Sequence, residues 1–324
     1  MAFMLKRVYN KGMKKLLKLS LSTLSTLCLA SVSASFYFFH VAQVRGKKAF
    51  IDEAETPKSS PLYQDEQDFL KLDKKTLTIE NDGLTLKAWY VPAETKTNKT
   101  AIIVHGFNGC KEEMMAYGML FHRLGYHVLM PDNRAHGISD GSLIGYGVTD
   151  KRDLIAWTNM LISTNAESEI IYFGLSMGAA TVMLSTREHL PKNVKSIIED
   201  CGYTSVWDEL SYQAKQMYGL PKFPLLYEVS AISKLRAGFS YDENGASAVK
   251  SLENNKLPVL FIHGTADDFV PTEMVNQNFA ATKGPRELWL VKGAKHAKSL
   301  ETDRNGYYAK VADFLAKYGY PNRL

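Results

Sequence analysis

One serine, Ser176, stands between two glycines in Gly174-Leu175-Ser176-Met177-Gly178, where a β-favouring apolar run (170–173) gives way to a small-residue helical stretch. A hydroxyl is a weak nucleophile until a base takes its proton. A tight strand-to-helix turn pushes such a side chain out of a sheet, and glycines on either side leave no β-carbon to strike the neighbouring backbone. The start of the helix offers N–H groups without intrahelical partners, where a negative oxygen could form. The pentapeptide fits the G-x-S-x-G nucleophile elbow, which calls for N–H donors from the loop after an earlier strand, then an acid, then a histidine. "AIIVHGFNGC" supplies the loop: Phe107 and Met177 are expected to turn their backbone N–H groups toward an oxyanion, with His105 holding the loop structurally. "LPVLFIHGTADDFVP" places Asp267 and Asp268 just beyond a buried strand, and "LWLVKGAKHAKS" places His296 just beyond the next. His296 is the expected general base and one of the two aspartates its orienting carboxylate.

Those residues need a scaffold, and the apolar blocks provide one. Asp82-Gly83 between "LTIEND" and "LTLKAWYVP" is a hairpin signal. Short buried-strand candidates follow at 101–105, 126–130, 170–173, 194–199, 259–263 and 287–291, alternating with helical spacing at 112–124, 150–161, 177–189, 272–282 and 305–318. An antiparallel opening followed by strand–helix alternation predicts one α/β domain, 76–324, whose mostly parallel central sheet has helices on both faces. The stretch 203–241 is too long and too aromatic for a plain crossover, so it reads as a helical lid insertion. Trp207, Tyr212, Met217, Phe223 and Leu226 are the expected pocket residues within it.

The chain has 324 residues, 45% hydrophobic content and a formal charge of +5. Lys6, Arg7, Lys11, Lys14, Lys15 and Lys18 crowd a basic N-terminus, 1–18; without those six, 33 basic residues face 34 acidic ones. The remainder is nearly neutral, so a nucleic-acid partner is not expected. Residues 19–44 carry no charge apart from His40 and are long enough to span a bilayer. The apolar run continues through Phe36-Tyr37-Phe38-Phe39, past a possible cleavage site at Val32-Ser33-Ala34. We therefore expect a single-pass signal anchor, secretion after cleavage being the alternative. The basic excess before the span predicts a cytoplasmic N-terminus and a catalytic domain outside, joined by a juxtamembrane linker at 45–75 with a short helical stretch possible around 65–72. Three cysteines, Cys28, Cys110 and Cys201, make no disulfide framework; Cys110 and Cys201 are expected as thiols, and no metal spacing is present.

From Leu77 to Tyr318 the motifs "HGFNG", "PDNRAHGISDG", "GLSMGAAT", "EDCGYTS", "HGTADDFVP" and "GAKHAKS" resemble, in order and spacing, those of the α/β-hydrolase superfamily. The chain is most similar to bacterial membrane-anchored or secreted serine hydrolases of the esterase type, with a distant similarity to serine aminopeptidases and acyltransferases. The resemblance implies that Asp267, at the fifth position of "HGTAD", is the acid rather than Asp268. It also implies that Asp132 and Arg134 brace a loop beside the active site, and that an acyl-enzyme forms without metal or organic cofactor. The expected activity is cleavage of small-molecule carboxylic esters. A peptidase or amidase, an acyltransferase and a non-catalytic surface binding protein are the alternatives, since the fold hosts many reactions.

Overall fold

The computed structural model describes residues 2–46 and 56–318. Met1, 47–55 (much of the expected linker) and 319–324 lie outside the described residues.

Eight strands form one sheet: β1 Lys75–Asn81, β2 Leu84–Val91, β3 Lys99–Val104, β4 His127–Pro131, β5 Glu169–Leu175, β6 Val194–Asp200, β7 Val259–Gly264 and β8 Arg286–Val291. Their order across the sheet is β1-β2-β4-β3-β5-β6-β7-β8. The opening hairpin β1–β2 is antiparallel, as is β2–β4; all later pairs are parallel. Asp82 and Gly83 both take positive φ (51° and 75°), as a tight two-residue hairpin turn requires.

The helices are α1 Ala2–Gln43, α2 Tyr63–Leu70, α3 Met115–Arg123, α4 Asp150–Thr164, α5 Met177–Ser185, α6 Val206–Tyr218, α7 Leu225–Ala237, α8 Ala248–Leu252, α9 Glu273–Ala281, α10 Ser299–Thr302 and α11 Arg304–Tyr318. Successive residues of a strand face opposite sides, and the core divides accordingly. Ala101 and Ile103 pack with α3 and α11 around Tyr117, Phe121 and Phe314. Ile102 and Val104 pack with α4, α5 and α8 around Trp157, Val182 and Leu252. Replacing a fully buried core aromatic such as Phe173 with alanine costs about 3–5 kcal/mol.

Two expectations about the chain's first quarter need correction. The polar stretch 45–75 is not all linker, because α2 packs on α3. Phe69 is fully buried, and Asp65 receives the guanidinium groups of Arg123 and Arg304. The apolar N-terminal helix is also more than a free span. Met13–Gln43 is long and apolar enough to cross a membrane, yet its final turns pack on α7, with Ser35, Phe39 and Gln43 buried. Phe39 joins Tyr146, Met177, Tyr203, Leu226 and Tyr241 in a third apolar cluster over the ends of the strands.

Candidate active site

Strand order decides where the site forms. After β3 the chain moves to β4 on one side, then returns to β5 on the other. The loops leaving β3 and β5 therefore diverge, opening a crevice at the carboxyl ends of the two strands. Ser176 follows β5 at that point. It takes φ 54° and ψ −113°, a region that non-glycine residues rarely occupy, and its N–H donates to the Asp200 carbonyl at 2.8 Å. The flanking glycines are there for contact: a β-carbon on Gly174 would lie 2.2 Å from the Gly178 carbonyl oxygen, and one on Gly178 2.1 Å from that of Val104.

The structure brings Ser176, His296 and Asp267 into one hydrogen-bonded line. Ser176 Oγ lies 2.9 Å from His296 Nε2, and His296 Nδ1 lies 2.8 Å from Asp267 Oδ2. Asp267 Oδ1 accepts the backbone N–H groups of Phe269 (3.0 Å) and Val270 (2.9 Å). Burial alone would raise the Asp267 pKa, but hydrogen bonds from His263 and His296 outweigh it and hold the carboxyl at about 2. The rival, Asp268, is exposed and offers its backbone carbonyl to the Tyr212 hydroxyl. Gly106 lies against Ser176, a β-carbon there standing 3.5 Å from the serine Cβ. Phe107 and Met177 line the same cavity as Ser176, and Met177 opens α5, where first-turn N–H groups lack intrahelical partners.

The donor loop is held from behind. His105 Nε2 accepts the Asn133 N–H at 2.9 Å, and His136 Nε2 accepts the Asn108 N–H at 3.1 Å. Asp132 takes the Lys111 ammonium at 2.7 Å and the Ile138 N–H at 3.0 Å, while Arg134 pairs with Asp153 and Asp82. His105 is thus a structural member of the loop. Burial pushes its pKa down.

Residues 100–236 match the family model described as alpha/beta hydrolase fold. The uncharacterized protein YqkD of Bacillus subtilis (strain 168) is 31% identical over 303 residues, 92% of this chain and 97% of its own. The chain belongs to the α/β-hydrolase family. Lysophosphatidylserine lipase ABHD12 of Danio rerio is similar to this α/β-hydrolase at 25% identity, over 73% of this chain and 56% of its own. Among solved structures, the Pyrococcus furiosus esterase Pf2001 superposes with a TM-score of 0.63 at 23% identity, over 83% of this chain and 98% of that one. Pyrococcus horikoshii acylaminoacyl peptidase does so with 0.58 at 15% identity, over 78% and 43%. These two superpositions share the fold.

Above Ser176 the hydrolase has an apolar cavity roofed by α6 and α7. Of the five expected pocket residues, Met217 and Leu226 line it, while Trp207, Tyr212 and Phe223 do not. Helical phase accounts for Tyr212: the residues of α6 that line the cavity are Glu209, Leu210, Gln213, Ala214, Met217 and Tyr218, and at about 100° per residue Tyr212 falls outside that stripe. Trp207 shares the edge of the stripe but sits in the first turn of α6. Trp207 stacks instead edge-on against Tyr227, with ring centroids 4.8 Å apart, and Phe223 is 74% exposed in the turn before α7.

Three contributors escaped the sequence reading. His263 donates from Nε2 toward Val270 O (2.9 Å) and lies 3.2 Å from Asp267 Oδ2; four residues before the acid at a strand end, it was within reach of notice. Glu209, only 4% exposed, lines the cavity on the apolar stripe of α6. Burial raises its carboxyl to about 8, with the Gln213 amide only partly offsetting the effect. Phe38, Val41 and Ala42 of α1 form one wall of the cavity. Among the described residues, Cys201, Asp267 and His296 bring potential metal donors within 4.8 Å. That set does not suit a cation: burial holds the Cys201 thiol protonated, and both nitrogens of His296 are already engaged.

Proposed function

We propose that this α/β-hydrolase is a serine esterase, cleaving carboxylic esters through an acyl-enzyme and tethered outside the cytoplasmic membrane by α1. The observation that carries this reading is the Ser176–His296–Asp267 line at the floor of an apolar cavity. In the first step His296 Nε2 takes the Ser176 proton as Oγ attacks the substrate carbonyl. The oxyanion forms toward the N–H groups of Phe107 and Met177. As the tetrahedral intermediate collapses, His296 returns the proton to the departing alkoxide and leaves Ser176 acylated. Water, giving a proton to the same histidine, then attacks the acyl carbonyl; the bond to Ser176 Oγ breaks, His296 returns the proton to Oγ, and the carboxylic acid departs. Asp267 stays ionised throughout, fixes the tautomer of His296 and stabilises the imidazolium. The apolar walls suit an acyl chain and exclude water around the oxyanion. Glu209, neutral near pH 7, offers a hydrogen bond there rather than a charge for a peptide amine, which favours an ester over an amide.

Labelling by a fluorophosphonate, combined with turnover of a panel of esters and peptide amides, tests the reading. We expect labelling that requires Ser176 and His296, and ester turnover well above amide turnover. Labelling with preferential amide cleavage would make the enzyme a peptidase, and transfer to added alcohols in place of hydrolysis an acyltransferase. No labelling at all would leave a binding protein.

A further inference from the structure

The cavity wall built from α1 has a consequence for how substrate arrives. A helix crosses the hydrocarbon core with about 20 residues at about 1.5 Å each. Counted from Leu19, just after Lys18, those 20 residues end at Phe38. Yet α1 is already docked on the lid well before that. The hydroxyls of Ser31 and Ser35 donate to Glu228 of α7, Arg236 lies over the Phe39 ring, and the Tyr241 hydroxyl reaches Gln43 Oε1 at 2.8 Å. These contacts advance together along both chains, so α7 runs parallel to α1. That order sets the start of α7 and the turn before it alongside residues 31–38 of α1, inside the counted span, with Tyr218 at the head of the turn reaching Phe38. That turn presents Phe223, 74% exposed, with Lys222 beside it long enough to reach back to headgroups. Val32, Phe36 and Tyr37 of α1 and Tyr227 of α7 add further exposed apolar surface at the same level.

We infer that the lid turn around Phe223 is immersed in the outer leaflet and that the pocket opens into the bilayer, taking from it esters of one long acyl chain. This rests on the tethered-esterase reading above and names the substrate of that same site. On the α1 side of the cavity Phe38 meets Tyr218, ring centroids 5.0 Å apart, and both rings line it. The size of the cavity limits the occupant. At about 110 Å³ it is small for a ligand site and suits one chain rather than two. The far end of a longer chain stays in the lipid it came from.

The test uses the full chain in vesicles of ether-linked phosphatidylcholine, which carry no competing ester. Phe223→Cys, with Cys28 and Cys110 replaced by serine, receives a nitroxide whose exposure to oxygen and to an aqueous nickel chelate is compared. Turnover of 1-palmitoylglycerol is then divided by that of 1-butyrylglycerol, per fluorophosphonate-reactive site, so that unfolded protein cancels. We expect the label to be oxygen-accessible and shielded from nickel. Val41→Trp, which fills the wall, should lower the ratio at least tenfold, and Phe38→Ala, which only removes bulk, should change it at least threefold. A nickel-accessible label, or a ratio unmoved by both variants, would overturn the inference. If neither ester is turned over by the unmodified chain, the esterase reading falls and with it the assigned substrate, while the label depth still decides whether the lid turn is immersed.

Discussion

His263 Nε2 lies 3.2 Å from Asp267 Oδ2, the same oxygen that His296 Nδ1 reaches at 2.8 Å. With the Phe269 and Val270 N–H groups on Oδ1, the carboxylate is held from every side. Its position, and hence that of His296, is not free to drift. Ser176→Ala and His296→Ala should each lower kcat by roughly 10⁶-fold, because the triad acts as a unit. Asp267→Asn should cost about 10⁴-fold by presenting the wrong tautomer, and His263→Ala up to about 10²-fold through misplacement. Asp268→Asn should be nearly neutral, since only its backbone is used. A steady-state series on one ester checks the ranking; Asp268→Asn more damaging than Asp267→Asn would reverse the assignment of the acid.

The serine is held in a backbone conformation that has a cost of its own. At φ 54°, ψ −113°, a β-carbon is strained by about 1–3 kcal/mol, and glycine is not. Ser176→Gly should therefore melt higher than Ser176→Ala, by the equivalent of about 1 kcal/mol, although both are inactive. Equal melting temperatures would show that the elbow stores no strain.

Stability should also depend on pH through the pocket acid. The folded chain keeps the Glu209 proton up to about pH 8, whereas an unfolded chain releases it near the ordinary 4.5. Between those values the folded state binds more protons, so this contribution is complete below pH 4.5 and is lost as pH rises through 8. The slope is at most about 1.4 kcal/mol per pH unit. Glu199, raised by burial to about 8 as well, adds a second group of the same sign. Glu209→Gln keeps the shape and the Gln213 contact without the proton, so its melting temperature should fall less steeply from pH 5 to 8. Parallel curves for the two proteins would mean that Glu209 is ionised in the cavity.

Pocket and scaffold can be separated within α6 and α7. Met217→Ser and Leu226→Ala should shift the acyl-length preference of the esters turned over, because both side chains line the cavity. Trp207→Ser should lower the melting temperature through its lost contact with Tyr227 and affect all esters alike. A changed length profile for Trp207→Ser would return that residue to the pocket.

The sheet, its antiparallel opening and the loops carrying Ser176, Asp267 and His296 were legible because each rests on local chemistry: a turn pair, a buried run, a residue just past a strand. The lid was harder. Its aromatics suggested a pocket by composition, whereas helical phase decides which of them face inward, and Glu209 on the inner stripe was the better marker. Asp65 looked like linker because its partners, Arg123 and Arg304, lie 58 and 239 residues away. Nothing periodic announces such pairs. In α1 the apolar composition suited a membrane span so well that it concealed a packing face in the last turns.

That packing face yields a sharp expectation for the N-terminal helix. The Tyr146 hydroxyl donates to Ala42 O at 2.7 Å and the Ile144 N–H to Gln43 O at 2.8 Å. Beyond them the Arg45 N–H donates to Ser142 O at 2.9 Å, and its guanidinium to Ser139 O at 2.8 Å. Each such bond contributes about 0.5–1.5 kcal/mol, and burying Phe39 contributes about 1.5–3 kcal/mol. Trypsin cutting at the exposed Lys58 severs the covalent link between α1 and the hydrolase domain but leaves all of these contacts in place. In intact cells the cut itself reports whether the domain lies outside. After it, the domain should still sediment with the membrane and retain its acyl-length preference. Release should require mild denaturant, or Arg45→Ala combined with Tyr146→Phe. A domain freed into solution by the cut alone would mean that α1 is only a tether, and that the wall formed by Phe38, Val41 and Ala42 is not held in place.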